Sequence, residues 1–153
     1  MSVTRSNNNK KEDFDNGHWS FHAEMDPHKY FGFTYLIRCR KTGKSYIGRK
    51  QYKHAGKKSS RNYNKEMAWR TYAGSSIHLA AHIRKVKPAN IDFICLGEYS
   101  CRGDLVYAEV HEQVTRDVLR ARQDNGERLY FNGQISAIKF IPPCKETRKN
   151  EDL

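Results

Sequence analysis

Two tyrosines, Tyr35 and Tyr46, stand eleven positions apart in a strongly basic part of the chain. Each belongs to a short triplet, Phe33-Thr34-Tyr35 and Tyr46-Ile47-Gly48. A tyrosine hydroxyl donates a proton or, as a phenolate, accepts one, but with a reference pKa of about 10 it is almost fully protonated at neutral pH. Nearby cations favour the phenolate and lower that pKa. We therefore expect neighbouring basic residues to activate the two phenols, the candidates being Arg49, Lys50, Arg61 and Arg70.

The positive charge of the chain is concentrated around these tyrosines. The net charge is +11 over 153 residues, and the 33 residues from Arg38 to Arg70 contain twelve Lys or Arg and one acidic residue, Glu66. The remaining residues contain sixteen basic and sixteen acidic side chains. On a surface that only has to stay solvated, positive and negative side chains are usually interspersed. The concentration therefore indicates a surface that faces a polyanion, with nucleic acid favoured over an acidic membrane.

The composition argues against several other classes of protein. No apolar run approaches the roughly 18 residues needed to span a bilayer, and the N-terminal stretch lacks the apolar core of a secretory signal. We therefore expect a soluble protein of the cytoplasm. The four cysteines form no CxxC pair and the seven histidines form no HExxH motif, so reduced thiols are favoured over disulfides or a zinc site.

The predicted order of elements is β-β-α-β-α-β. The first two strands form a hairpin, with Phe33 to Arg38 and Ser45 to Gly48 joined by turn-forming residues. The later elements are a helix between Ser76 and Pro88, a buried strand from Ile91 to Leu96, a helix over 105–122 capped by Asp104, and a last strand from Leu129 to Phe140. This order predicts an α+β fold, in which helices flank a small, mostly antiparallel sheet.

One folded domain is expected, over residues 17–140. Residues 1–16 are polar, rich in Asn and charged, and predict a flexible tail. Residues 141–153 are also polar and predict a loose C-terminal tail.

These features together resemble the GIY-YIG nuclease domain, and in particular its phage-encoded, homing-endonuclease-like branch. Tyr46-Ile47-Gly48 matches the second triplet of that family, and Phe33-Thr34-Tyr35 keeps the tyrosine of the first. The stretch from Trp69 to Ser76, WRTYAGSS, matches a W-x-x-Y-x-G-S-S segment that precedes the central helix in that branch. Residues 107–113 fall where the family has its glutamate, and residues 130–135 resemble its last strand. The resemblance covers about residues 31 to 140.

The resemblance implies an endonuclease that hydrolyses phosphodiester bonds with one divalent cation, Mg2+, for which Mn2+ can substitute. It implies a single glutamate as the metal ligand, and the candidates are Glu109 and Glu112. We assign Glu109, because at about 100° per residue it lies at the edge of an apolar stripe that we expect to be buried, whereas Glu112 points away. Glu112 is kept as the alternative. The stripe consists of Val106, Val110, Val114 and Val118.

The resemblance also assigns roles to other residues. Tyr35 and Tyr46 would activate the attacking water and orient the phosphate, and Arg61, supported by Lys50, would clamp the phosphate. Asn132 would orient the glutamate or the phosphate, or would serve only as a structural Asn-Gly turn. The residues expected to contact phosphates of duplex DNA are Arg49, Lys53, Lys57, Lys58 and Arg70, so binding should weaken with salt.

Three functions are compatible with these observations. The leading hypothesis is a phage-encoded, metal-dependent DNA endonuclease, either a homing enzyme or a free-standing nuclease that degrades DNA. The alternatives are a non-catalytic, basic nucleic-acid-binding module and a ribosome-type RNA-binding protein. Nicking that depends on divalent metal separates the enzyme from the binding module, and a preference for RNA would indicate the third class. A homodimer is left open.

Overall fold

Four β-strands and two α-helices make up the regular part of the computed structural model, which describes residues 15–136 and 147–150. The strands pair in the order β2-β1-β3-β4, and each neighbouring pair is antiparallel. An antiparallel sheet with helices packed against it confirms the predicted α+β class. The elements are β1 (Gly32–Cys39), β2 (Ser45–Gln51), α1 (Ile77–Val86), a 3-10 helix (Pro88–Asn90), β3 (Ile91–Tyr99), α2 (Arg102–Thr115) and β4 (Thr147–Lys149).

The β1–β2 hairpin sets the relative position of the two tyrosines. Tyr35 pairs with Gly48, and Ile37 pairs with Tyr46. Because directly paired residues and residues two positions apart share a face of a sheet, both tyrosines lie on the same face. The pairing of β1 with β3 shifts by one residue between Thr34 and Tyr35. Such a bulge increases the local twist, and here it lies next to the first tyrosine.

The two faces of the sheet are covered by different parts of the chain. On the face of Tyr35, aromatic side chains from the segment before β1 and from the segment before α1 form a cluster with α1, which includes Trp19, Tyr30, Phe33, Trp69 and Leu79. On the opposite face, residues of the sheet pack against the segment that follows α2, and this cluster includes Leu36, Ile47, Leu96, Val118 and Tyr130. The site described below lies where the two faces meet at the edge of β2.

Helix α1 agrees with its predicted ends. The Oγ atom of Ser76 accepts a hydrogen bond from the backbone nitrogen of Leu79 at 3.3 Å, as expected of an N-cap serine. The helix ends at Val86, two residues before Pro88. Within residues 15–136 and 147–150, no helix is long and apolar enough to cross a membrane.

Helix α2 is shorter than predicted and buries a different face. It ends at Thr115, close to Asp117, whose φ of 51° is left-handed. Its N-cap is Cys101, and Asp104 lies within the first turn. The valine stripe is only partly the buried face, because Val106 and Val118 are buried but Val114 is 60% exposed. The buried residues of the helix are Asp104, Leu105, Val106, Glu109 and Gln113. Three of these are polar, so hydrophobic periodicity could not identify the face.

The C-terminal part of the chain also differs from the prediction. Residues 129–136 form no strand: only an isolated bridge joins Tyr130 to Ser45, and residues 137–140 lie outside the described residues. Thr147–Lys149, expected in a loose tail, form β4 instead. Arg148 binds the buried carboxylate of Glu98, with Nε at 2.9 Å from Oε2. Such a pairing between distant positions is not visible in a local sequence pattern, which explains the error.

The N-terminal boundary lies at least one residue earlier than expected. Asn16, assigned to the tail, is buried. Its side chain accepts a hydrogen bond from the backbone nitrogen of Met25 at 2.9 Å and donates one to the carbonyl oxygen of Ala23 at 2.9 Å. These bonds fix the start of the segment that covers the sheet.

Candidate active site

A polar cleft of about 270 Å³ opens beside β2, one of the two edge strands of the sheet. Side chains from both faces of the sheet reach it around this edge. The residues that line it include Tyr35, Tyr46, Gly48 and Arg49 from the hairpin, Ser75 from the loop before α1, Glu109 and Gln113 from α2, and Asn132 from the segment after α2. Four of the six predicted catalytic residues therefore meet in one place: Tyr35, Tyr46, Glu109 and Asn132.

The two tyrosines pack against each other but differ in exposure. Their ring centroids are 6.2 Å apart, with 30° between the ring planes. Tyr35 is 1% exposed and its hydroxyl is hydrogen-bonded to Tyr72, whereas the hydroxyl of Tyr46 lies 3.4 Å from Oγ of Ser75. Burial, and then the neighbouring Tyr72, Tyr46 and Glu109, raise the pKa of Tyr35 well above 10. The expected lowering of the pKa by cations is therefore wrong for Tyr35, which is a neutral phenol at neutral pH.

The glycine of the second triplet makes room for Tyr35. Gly48 lies opposite Tyr35 in the hairpin. A Cβ atom at Gly48 would lie 2.4 Å from the hydroxyl oxygen of Tyr35 and 3.0 Å from the ring of Tyr46. Both distances are shorter than a relaxed van der Waals contact. Any side chain at this position would therefore move the first tyrosine.

The WRTYAGSS segment supports the cleft through several different contacts. Trp69 is fully buried in the core, and Tyr72 holds the hydroxyl of Tyr35. Gly74 adopts a φ of +84°, a conformation that side chains disfavour. Ser75 meets the hydroxyl of Tyr46 and Ser76 caps α1. The segment therefore positions both tyrosines and starts the helix beside them.

Glu109 contributes a carboxylate to the cleft. The residue is 8% exposed, and its Oε1 atom lies 2.7 Å from Nη1 of Arg49. The backbone N–H of Arg49 also donates to this carboxylate. Burial raises the pKa of Glu109, and the charge and hydrogen bonds of Arg49 oppose that rise without cancelling it. The cleft thus contains a half-buried ion pair whose acid ionises less readily than an exposed glutamate.

The alternative glutamate, Glu112, lies on another side of α2. It pairs with Arg116 one helical turn later and lines a separate cavity beside β4. Of the two candidate glutamates, the fold brings Glu109 to the tyrosines and directs Glu112 away from them.

Asn132 closes the open edge of β2. Its Oδ1 atom accepts a hydrogen bond from the backbone nitrogen of Ile47 at 3.0 Å, and its Nδ2 atom donates to the carbonyl oxygen of Ile47 at 2.7 Å. Gln113 donates to the same carbonyl oxygen at 3.2 Å. The amide of Asn132 therefore replaces a neighbouring strand at this position and holds the residues after α2 against the cleft.

A loop over residues 54–65 carries several of the predicted phosphate-contacting residues. An antiparallel bridge between Lys53 and Glu66 closes the loop at its base. All of residues 54–65 are exposed, among them Lys57, Lys58 and Arg61. Arg61 is not among the residues that line the cleft, so the fold does not bring this predicted phosphate clamp to the tyrosines.

Arg70 is held by neighbours away from the cleft. Its Nη1 atom lies 2.7 Å from Glu66 and its Nε atom 3.2 Å from Asp15. The guanidinium also lies 4.3 Å from the ring centroid of Trp69. These contacts join the N-terminal segment to the WRTYAGSS segment.

Lys50 is connected to the tyrosines indirectly. Its Nζ atom lies 4.3 Å from the ring centroid of Tyr72, and Tyr72 is hydrogen-bonded to Tyr35. Burial lowers the pKa of Lys50. The side chain is not part of the lining of the cleft.

Sequence reasoning missed four polar residues of the cleft, two of which are Gln113 and Ser75. Gln113 lies within the expected glutamate segment, and its position four residues after Glu109 places it on the same side of the helix. Ser75 lies in the WRTYAGSS match but carried no assigned role. Helical spacing from Glu109 was the signal that could have identified Gln113.

The small antiparallel α+β fold and the cleft that joins two tyrosines to one glutamate define a GIY-YIG nuclease domain. The family model described as "Putative endonuclease segE, GIY-YIG domain" matches residues 16–135. The chain therefore belongs to this GIY-YIG endonuclease family, whose substrates are nucleic acids. Searches of the curated proteins and of the solved structures gave no significant match.

Proposed function

We propose that the protein is a metal-dependent DNA endonuclease that hydrolyses phosphodiester bonds in the cleft beside β2. The observation that carries this proposal is the convergence of Tyr35, Tyr46 and Glu109 on one polar cleft, together with Arg49. Hydrolysis of a phosphodiester needs an activated water, neutralisation of charge at the phosphate and protonation of the leaving oxygen. The cleft contains groups suited to each of these needs.

A divalent cation fits the donor atoms of the cleft. Oxygen is the ligand that Mg2+ and Mn2+ prefer, and the cleft offers the carboxylate of Glu109 and side-chain oxygens such as that of Ser75. Among the described residues, no three or more His, Cys, Asp or Glu side chains are grouped so that they could hold a metal ion. Mg2+ is typically held by one or two carboxylates, several waters and the phosphate of the substrate, so Glu109 would be its protein anchor. When bound, the cation would supply Lewis acidity toward the scissile phosphate.

Arg49 is the phosphate-binding residue best placed for this reaction. It lines the cleft, and its planar guanidinium suits phosphate as well as carboxylate. In the absence of substrate it neutralises Glu109. We infer that Arg49, which lines the cleft whereas Arg61 does not, contacts the scissile phosphate. Glu109 would then be free to hold a cation.

The tyrosines would act as hydrogen-bonding groups rather than as pre-formed bases. Tyr35 is neutral at neutral pH, because burial raises its pKa, so it orients the attacking water by donating or accepting a hydrogen bond. Tyr46 is more exposed and bonds to Ser75, a position suited to a phosphate oxygen. Asn132 then serves as a positioning residue, since both ends of its amide are bound to Ile47.

Duplex DNA is the proposed substrate, and the exposed loop 54–65 would bind its backbone. Lysines and arginines on such a loop can neutralise phosphates along the duplex without selecting a sequence. A phage-encoded enzyme, acting in homing or in the degradation of DNA, is the biological role that we propose. The protein would act inside the cell, as a monomer or as a homodimer.

A non-catalytic nucleic-acid-binding module is the competing function. The ion pair between Arg49 and Glu109 favours it, because a carboxylate already neutralised by arginine can be purely structural. Only the endonuclease requires a divalent cation to change the DNA covalently.

The test is a cleavage assay with the full chain on supercoiled, linear and single-stranded DNA and on RNA, with Mg2+, Mn2+ or EDTA. We expect nicked or linear plasmid with either metal and intact plasmid with EDTA. Binding without cleavage under every metal condition would instead support the binding module. Preferential cleavage of RNA would refute the choice of substrate.

A further inference from the structure

Gln113 is a buried polar residue whose acceptor atom has no hydrogen-bond donor in the described part of the chain. It lies one helical turn after Glu109 on α2, is 5% exposed and lines the cleft. Its Nε2 atom donates to the carbonyl oxygen of Ile47 at 3.2 Å. Its Oε1 atom is buried, and no donor to it is present among the described residues. Buried acceptors in native proteins nearly always have a donor or an ion, so this atom calls for an explanation.

Turning the amide around does not resolve the problem. The two ends of a glutamine side chain are told apart by their partners. If the amide of Gln113 were rotated by half a turn, its oxygen would face the carbonyl oxygen of Ile47, and two acceptors would meet. The observed orientation is therefore the one that the neighbouring backbone requires, and it leaves Oε1 as the unbound end.

The hydrogen bond that Gln113 does make is also duplicated. Asn132 donates to the same carbonyl oxygen of Ile47 at 2.7 Å. The edge of β2 is thus closed without Gln113, and an apolar side chain of the same shape would satisfy the packing. A glutamine at this buried position is explained by its oxygen rather than by its nitrogen.

We propose that Gln113 is a cation-binding residue, whose Oε1 atom supplies a second protein oxygen beside the carboxylate of Glu109. Residues four positions apart on a helix are neighbours on one face, so both side chains reach the cleft together. Amide oxygens are accepted ligands of hard divalent cations. This inference rests on the proposed metal-dependent function and adds a residue to it.

The test measures binding of Mn2+ alone, without DNA, by electron paramagnetic resonance or calorimetry. Gln113→Met keeps the length of the side chain and removes the carbonyl oxygen, and we expect it to weaken Mn2+ binding about tenfold or more, as is typical for residues that support a metal site. Gln51→Met is the matched control, because the amide of Gln51 donates to the backbone oxygen of Lys53. Wild-type affinity in Gln113→Met would overturn the inference.

A second pair of variants keeps the inference testable if Gln113→Met does not fold. Gln113→Glu places a carboxylate at the proposed ligand position, and Gln134→Glu adds the same charge at an exposed residue of the same cleft. We expect Mn2+ to bind more tightly to Gln113→Glu than to Gln134→Glu. Equal changes in Mn2+ affinity for the two substitutions would contradict direct binding of the cation by the side chain at position 113.

The same measurements separate this inference from the proposed function. If the wild-type protein neither binds Mn2+ nor cleaves DNA, both fail together. If it binds Mn2+ and cleaves, but Gln113→Met binds Mn2+ equally well, only the role of Gln113 fails.

Discussion

Nη1 of Arg49 lies 2.7 Å from Oε1 of Glu109, so the acid of the cleft is neutralised by a residue of the adjacent strand. The side chain of Glu109 is 11% exposed and that of Arg49 is 34% exposed. A cation that binds Glu109 must therefore compete with a guanidinium that is only partly solvated. The ion pair links the proposed role of Glu109 in holding a cation to the proposed role of Arg49 in binding phosphate. If Arg49 is displaced from Glu109, its guanidinium becomes free to bind a phosphate.

Removal of Arg49 should therefore change metal binding and catalysis in opposite directions. A unit charge a few ångströms away contributes about 1 kcal/mol even in a highly polar medium, so we expect Arg49→Met to bind Mn2+ about fivefold more tightly or better. DNA cleavage by the same protein should fall, because the phosphate loses its partner. Calorimetry and single-turnover cleavage check the two effects. Arg70→Met, which removes an arginine paired with Glu66, is the control. Unchanged or weaker Mn2+ binding in Arg49→Met would refute the competition.

Glu109 should limit the stability of the protein at neutral pH. Burial raises its folded-state pKa above the usual 4.5, so its protonated form is favoured in the folded chain. Its contribution to stability is therefore fully present below pH 4.5 and is lost as the pH rises through the raised pKa. Glu109→Gln mimics the protonated form and should therefore raise the melting temperature at pH 7.

Thermal unfolding at pH 7 and at pH 4 measures this effect. The gain in Glu109→Gln should shrink toward zero at the lower pH, where the wild-type residue is itself protonated. Glu112→Gln is the control, since its carboxylate pairs with Arg116 on another side of the helix. A lower melting temperature of Glu109→Gln at pH 7 would show instead that the ion pair with Arg49 outweighs the cost of burial.

Tyr35 should contribute equally to the cleavage rate at every pH near neutrality. Because burial raises its pKa well above 10, the hydroxyl does not titrate between pH 6 and 9. Tyr35→Phe should reduce the cleavage rate about 100-fold, the loss typical of removing one positioned hydrogen-bonding group from an active site. The ratio of wild-type to variant rates should stay constant across that range. A ratio that rises about tenfold per pH unit would mean that a phenolate is the active form.

The exposed loop should govern the salt dependence of DNA binding. Log affinity falls as log salt concentration rises, and each phosphate contact that is lost makes this slope about one unit less steep. The double variant Lys57→Gln, Lys58→Gln should therefore make that slope about two units less steep. Arg84→Gln, Lys85→Gln removes the same charge from exposed positions at the end of α1 and is expected to leave the slope unchanged. Equal slopes for the wild-type protein and the loop variant would show that the loop does not contact DNA.

The parts of the fold that depend on local sequence could be predicted. The hairpin follows from alternation and a turn, and the start of α1 follows from Ser76 as an N-cap serine. The two tyrosines are local features of the same hairpin, so their proximity was foreseeable.

The parts that depend on distant partners could not be predicted. The pairs Arg49–Glu109, Glu98–Arg148 and Ile47–Asn132 join residues 60, 50 and 85 positions apart. The valine pattern predicts Glu109 at the edge of the buried face of α2, but Glu109 lies within that face. The prediction fails because polar residues of the cleft occupy helix positions where periodicity expects apolar ones. The same reason hid Gln113.

The most direct test of the proposed site compares the two glutamates of α2. Glu109→Ala and Glu112→Ala remove the same group from residues three positions apart, and only Glu109 lines the cleft. With Mg2+ and supercoiled plasmid, we expect Glu112→Ala to cleave at close to the wild-type rate and Glu109→Ala to lose at least 100-fold, provided that both proteins retain a cooperative thermal transition. Cleavage by Glu109→Ala at the wild-type rate would contradict the proposal that this cleft is the active site.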